Sequence, residues 1–297
     1  MTQAPPQAFF LPATAPSTGE RFCVFHAAQG DQLRGRVVYV HPFAEEMNKS
    51  RRMAALQSRA LAAAGFSVLQ IDLHGCGDSS GDFGDASWDD WVNDVLQAVA
   101  WLSERDARHA AAPLWLWGLR CGCLIAAQAA AKLTEAVNFC FWQPTTSGKP
   151  VLQQFLRIKL AADMLSGNAK GLMEAMRQAL AAGQPVEVAG YAVSPALANG
   201  LEKASLAAPE PIARQHGPVR LEWLELSRRT DIDVTPVTQQ CLTKWQLAAY
   251  SSRHQFVEGP NFWQTQEIED APALLEATCA AFLTHSSTAL ANRAVSP

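Results

Sequence analysis

The feature that most constrains this chain is a series of short apolar, β-branched or aromatic runs, each followed by a stretch with helical spacing. Gly35–Val40, Phe66–Ile71, Leu114–Trp117 and Val137–Trp142 read as buried strands. Between them, Met53, Leu56, Ala60 and Leu61 recur at helical spacing. Trp88, Trp91, Val92, Val95, Leu96, Val99 and Leu102 then follow the i, i+3, i+4, i+7 template. Ser87-x-x-Asp90 has capping-box spacing and sets the start of that helix. Continuous apolar strands alternating with helices predict an α/β fold: a mostly parallel sheet, helices on both faces, right-handed crossovers.

Composition supports such a core and excludes several functions. Apolar residues make up 48 % of the 297, and the formal net charge is −4. No basic stripe appears, so a nucleic-acid backbone is not the expected partner. No apolar run approaches the ~20 residues a transmembrane helix needs. The start, Met1-Thr2-Gln3-Ala4-Pro5-Pro6, lacks the positive segment of a secretory signal. Seven cysteines spread through a long chain suit reduced thiols, so the expected location is cytoplasmic. Cys121 and Cys123, about 200° apart on a helix, cannot chelate one metal. With no zinc spacing elsewhere, neither metal nor cofactor is expected.

The alternation breaks near residue 145. Residues 1–20, rich in Pro, Ala and Thr, read as a loose leader, and 286–297 as a frayed tail. The α/β core is expected at 21–144 and 217–285, with 145–216 inserted as a lid. Within that insertion, 151–182 carry helical signals and Pro185–Tyr191 reads as a short extended piece. The pattern resumes with a strand at Val219–Leu226, a helix around Val237–Ala249, a strand near His254–Val257 and a helix around Ala271–Leu283.

In an open parallel sheet, ligands bind beyond the carboxyl ends of the strands. That rule selects His41-Pro42-Phe43, Asp72–Gly81, Gly118–Gly122, Ser227–Pro236 and Glu258–Trp263. Gly118-Leu119-Arg120-Cys121-Gly122 has the form of a nucleophile elbow, a strand-to-helix turn needing small residues two positions either side of its tip. The tip is Arg120, a permanent cation and no nucleophile. Gly77-Asp78-Ser79-Ser80-Gly81 also fits G-x-S-x-G. It lacks the strand–turn–helix context, so Ser79 reads as a turn serine.

The order of these segments resembles the α/β-hydrolase superfamily. Asp72-Leu73-His74-Gly75-Cys76-Gly77-Asp78-Ser79 is similar to that superfamily's D-x-R-G-x-G-x-S loop, and His41-Pro42-Phe43 stands where its oxyanion loop begins. More narrowly, His41–Arg52, the Gly-Leu-Arg elbow, Val188-Ala189-Gly190-Tyr191 and Phe262–Ile268 resemble the exosortase A system-associated hydrolase 2 group, encoded in bacterial exopolysaccharide loci. The resemblance covers roughly residues 8–285. It implies a hydrolase of ester, thioester or similar acyl bonds, with backbone donors at Phe43 and Cys121 for an oxyanion.

The resemblance also implies positions that this chain fills differently. The acid position falls on Asp231 or Asp233, the latter in Asp233-Val234-Thr235-Pro236. The histidine position carries Asn261, and the nucleophile position Arg120. Losing nucleophile and base removes the activated-nucleophile route. Two expectations remain. One is a hydrolase with a relocated set, Cys121 with His41 or His74. The other is a silent binding or scaffold protein whose roofed pocket holds an anionic ligand, lipid- or sugar-linked. Arg120 then either serves an anion site beside a helix N-terminus or pairs with Asp231 or Asp233 and locks the old site. Glu45 and Glu46 read as helix-capping or solvated acids, and His254 as part of the last strand.

Overall fold

The computed structural model describes residues 5–15, 17–106, 111–165, 171–210, 218–229 and 231–284. The expected tail at 286–297 lies outside the described residues.

Eight strands form the main sheet: β1 (Gln7–Pro12), β2 (Glu20–His26), β3 (Gly35–Val40), β4 (Phe66–Ile71), β5 (Leu114–Leu119), β6 (Val137–Trp142), β9 (Arg220–Ser227) and β10 (Ser251–Glu258). Their spatial order is β1-β2-β4-β3-β5-β6-β9-β10. The pairs from β4 to β10 are parallel, with Val38 opposite Leu69 and Leu116, Trp117 opposite Cys140, and Trp142 opposite Leu224. The β1–β2 and β2–β4 pairs are antiparallel.

β1 corrects the reading of residues 1–20 as a loose leader. Phe9 stacks on Trp101 with ring centroids 4.6 Å apart, and Phe10 meets Phe22 edge-on. Those aromatics outweigh the Pro- and Ala-rich flanks that suggested a coil.

Alternation along each strand feeds two cores. Val38, Leu69, Leu116 and Phe139 face α2 (Trp88–Arg105), α3 (Gly122–Ala130) and α7 (Pro236–Leu247). Val37, Val68, Trp115, Trp117 and Cys140 face α1 (Glu45–Ala63) and α8 (Pro272–Leu283). Ser87 caps α2 as its spacing predicts: its Oγ accepts the Asp90 N–H at 3.1 Å, and the Asp90 carboxylate accepts the Ser87 N–H at 3.0 Å.

Between β6 and β9 the chain forms α4 (Gly148–Leu165), α5 (Leu172–Ala181), β7 (Val186–Val188), β8 (Tyr191–Val193) and α6 (Pro195–Lys203). The expected extended piece is a hairpin: β7 and β8 pair antiparallel, and the turn residues Ala189 and Gly190 have φ of 50° and 85°. Phe155 of α4 and Tyr191 of β8 reach the aromatic group around Phe43 and Phe83.

β3 is central, with β4 on one side and β5 on the other, so the strand order reverses there. The carboxyl ends of β3 and β5 therefore border the crevice where such sheets hold ligands.

Candidate functional site

β5 ends at Leu119, and α3 begins at Gly122. Arg120 makes the turn with φ +55°, a left-handed conformation that costs a residue with a Cβ about 1–3 kcal/mol. Both glycines are required by close approach. A Cβ on Gly118 would stand 2.8 Å from the Cys123 Cα, and one on Gly122 would overlap Val40 O and lie 2.6 Å from His41 O. The Arg120 N–H donates to Trp142 O at 2.9 Å, and its carbonyl accepts from Cys123 N at 3.1 Å. This is the elbow that the glycine spacing predicts.

The Arg120 side chain turns to Glu46 in the first turn of α1, Nε donating to Oε1 at 3.3 Å. The guanidinium carbon lies 5.7 Å from the centroid of the Trp263 ring. Its two Nη groups donate to no described residue, yet neither is fully occluded. Glu46 is only 14 % exposed. Its carboxyl is pushed up to about 7, first by burial and then by neighbouring Glu45, while Arg120 and Lys49 pull it down. Glu45 Oε2 and Trp263 Nε1, both buried, lack hydrogen-bond partners among the described residues.

The remaining candidates do not assemble a nucleophile and base. Cys121 is 1 % exposed, and burial, reinforced by the Glu46 charge, raises its thiol far above the usual range. That is the opposite of the activated thiolate that catalysis needs. His41 is buried with both ring nitrogens engaged by backbone. The Leu73 N–H donates to Nε2 at 3.2 Å, which leaves Nδ1 as the donor to Pro42 O at 2.8 Å. Burial lowers its pKa, so the ring stays neutral.

His74 is held through its backbone: its N–H donates to Asp94 Oδ2 at 2.7 Å, and its carbonyl accepts from Trp91 Nε1 at 2.9 Å. Its ring packs over Gly81, which has φ +86°. Ser79 Oγ donates to Asp72 O at 2.5 Å and accepts the Phe22 N–H at 2.9 Å, tying the loop to β2. Phe43 lies in an aromatic cluster, edge-on to Phe83, Trp91 and Phe155 at 5.5, 5.8 and 5.1 Å.

Asp231 is exposed and pairs with Arg229 at 3.2 Å, a contact that lowers its pKa. Asp233 and Asn261 are also exposed. Neither aspartate pairs with Arg120, which corrects the expectation that one of them locks the elbow; Glu46 holds that place. Sequence reading missed the role of Glu46, and of Trp263. For Trp263 the signal was present, since it lies in the selected segment after β10; Glu46 lies in the first turn of α1, three residues past the selected His41-Pro42-Phe43. An open groove of about 550 Å³ runs beside the turn carrying Asn261, lined by Arg228, Glu258, Gly259, Pro260, Glu269 and Asp270.

Known proteins share this fold. The family described as serine aminopeptidase, S33, matches residues 31–185, a span that holds His41–Phe43 and the elbow but ends before Asp231, Asp233 and Asn261. Human protein ABHD12B is 32 % identical over 117 residues, 39 % of this chain and 30 % of that protein, so the chain matches less than a third of that relative's length. A thermostable carboxyl esterase from Bacillus coagulans superposes with TM-score 0.63 at 14 % identity, over 93 % of this chain and 97 % of its own. Est1E from Butyrivibrio proteoclasticus, with ferulic acid bound, superposes with TM-score 0.62 at 13 % identity, over 96 % of this chain and all of its own, 100 %. At such identities the two structures share the fold alone. Among the described residues, no helix is long and apolar enough to cross a membrane.

Proposed function

Because the chain belongs to the serine aminopeptidase, S33, family of α/β-hydrolases, we propose that it keeps that family's ligand-binding edge without its hydrolytic chemistry, and binds a small, acyl-bearing anion at Arg120. The observation that carries this reading is Arg120 itself. It stands at the elbow tip, held by backbone on both sides, with the Nη fork of its guanidinium unclaimed by any described residue. A planar fork of that kind pairs bidentately with a carboxylate or phosphate. The α3 N-terminus beside it adds favourable potential for an anion.

Ordinary acyl hydrolysis would need a hydroxyl or thiol activated by an imidazole. Cys121, His41 and Ser79 are each committed to packing or to backbone hydrogen bonds, which speaks against a relocated set. In this reading 145–216 acts as a lid over the ligand edge. The resemblance to the exosortase-associated group suggests work beside exopolysaccharide export, and seven unpaired thiols fit a cytoplasmic location.

A screen with p-nitrophenyl esters and acyl thioesters, joined to calorimetric titration of octanoate, tests the proposal. No turnover above buffer is expected, with octanoate binding lost in Arg120→Ala. Turnover abolished by Cys121→Ser or Ser79→Ala would establish the hydrolase reading instead.

A further inference from the structure

We infer that Glu46 is a gating residue of the Arg120 site: its carboxylate occupies the guanidinium until an external anion arrives, and it accepts one proton from solvent as it gives way. This inference rests on the anion-binding reading of Arg120.

The geometry is that of a resident competitor. Glu46 touches Arg120 through one contact only, Nε to Oε1 at 3.3 Å, long for a charge-assisted bond. An external anion reaching the open Nη fork would put a second negative charge within a few ångströms of Glu46. Two carboxylates so close cannot both stay ionised at low cost, and one takes up a proton. Glu46 is the one prepared to do so. Burial, with the charge of Glu45 one residue away, already raises its carboxyl to about 7 against the pull of Arg120 and Lys49. The opposing charges are few: Arg120 from the elbow, and Lys49 from the next turn of α1. Cys121, the other titratable group from the elbow, stays a neutral thiol. From the loop after β10 comes Trp263, whose uncharged ring backs the guanidinium. Tyr191 of β8, whose own pKa is raised by burial and by Glu45, also stays neutral.

Once protonated, Glu46 becomes a hydrogen-bond donor beside the ligand rather than a repelling charge. The balance is simple. The external anion and one solvent proton enter, the Arg120–Glu46 ion pair opens, and no covalent bond changes. The site therefore selects anions that can accept a hydrogen bond from a neutral carboxyl, carboxylates above all. It holds them more tightly in mildly acidic than in mildly alkaline solution.

Calorimetry on the intact chain tests this with octanoate and sulfate, neither of which titrates between pH 6 and 8. Octanoate is expected to bind about tenfold tighter at pH 6 than at pH 8, with uptake of about half a proton at pH 7, read from two buffers of different ionisation heat. Sulfate distinguishes a planar from a tetrahedral preference, and weaker binding than octanoate is expected. In Glu46→Gln the pH dependence disappears, and affinity at pH 8 rises to at least the wild-type value at pH 6. Binding that is independent of pH, or that releases no heat difference between the buffers, overturns the gate while leaving the Arg120 site standing; the wild-type measurement suffices even if the variant misfolds. Absence of binding by both anions, or binding that survives Arg120→Ala, removes the anion site itself and the gate with it.

Discussion

Arg120 Nε lies 3.3 Å from Glu46 Oε1, so the tip of the β5–α3 elbow is tied to the first turn of α1 across the carboxyl edge of the sheet. Neither residue is more than 16 % exposed, so the pair is screened far less than a surface ion pair.

The first prediction concerns Glu46 and stability. Its carboxyl sits at about 7 in the folded protein against an ordinary 4.5. Between those values the native state keeps a proton that the unfolded chain gives up. Stability from this group is thus fully present below 4.5 and is lost as pH rises through 7. Urea unfolding at pH 5 and pH 8 should show wild type losing stability relative to Glu46→Gln, by at most about 3 kcal/mol. An unchanged difference between the two proteins at both pH values contradicts it.

Restoring a hydroxyl at the elbow tip should not restore hydrolysis. Arg120→Ser supplies a hydroxyl, but Asn261, where the resemblance places the base, is exposed and no imidazole, and His41 is locked by Pro42 O and Leu73 N. Release of p-nitrophenol from short acyl esters should stay at the buffer rate. A measurable kcat would mean that another base reaches the tip.

Gly122→Ala should destabilise the fold by about 3 kcal/mol, because the new Cβ would meet the carbonyl oxygens of Val40 and His41 rather than a yielding side chain. Denaturant midpoints read this directly, and a change below about 1 kcal/mol would show that β3 can shift.

Asp94 tests the structural side of the ligand edge. Its Oδ1 pairs with Arg21 Nε at 2.7 Å with both side chains buried, and its Oδ2 accepts the His74 N–H. Asp94→Ala leaves Arg21 buried without its counter-ion and should cost about 3–5 kcal/mol. The same measurement on exposed Asp231→Ala should leave the denaturant midpoint unchanged.

Thiol labelling separates packing cysteines from reactive ones. Six of the seven thiols are buried and Cys279 alone is half-exposed. A native-state reaction with a thiol-specific dye should modify Cys279 first, and Cys121 only after denaturation. Early modification of Cys121 would reopen its candidacy as a nucleophile.

The sequence by itself determined the sheet, because a buried strand needs a particular local composition and a helix a particular period. Each leaves its trace within a few residues, as in Leu114–Leu119 or Ser87–Leu102. It also determined the elbow, since only Gly118 and Gly122 leave room for backbone to pass so closely. β1 was less legible, because its pairing with β2 depends on Phe9 finding Trp101, 92 positions further along the chain.

What only the tertiary structure decided is who meets whom. Glu46 reads locally as a helix-capping acid, and nothing within its own turn distinguishes it from Glu45. Its partner is 74 positions away, and its raised carboxyl follows from burial in the folded chain. The fates of His41 and Ser79 are settled in the same way, by backbone groups of Leu73, from the loop after β4, and Phe22, from β2. Local sequence carries propensity and shape; the protonation and pairing of a side chain depend on the dielectric and the charges that distant segments bring to it.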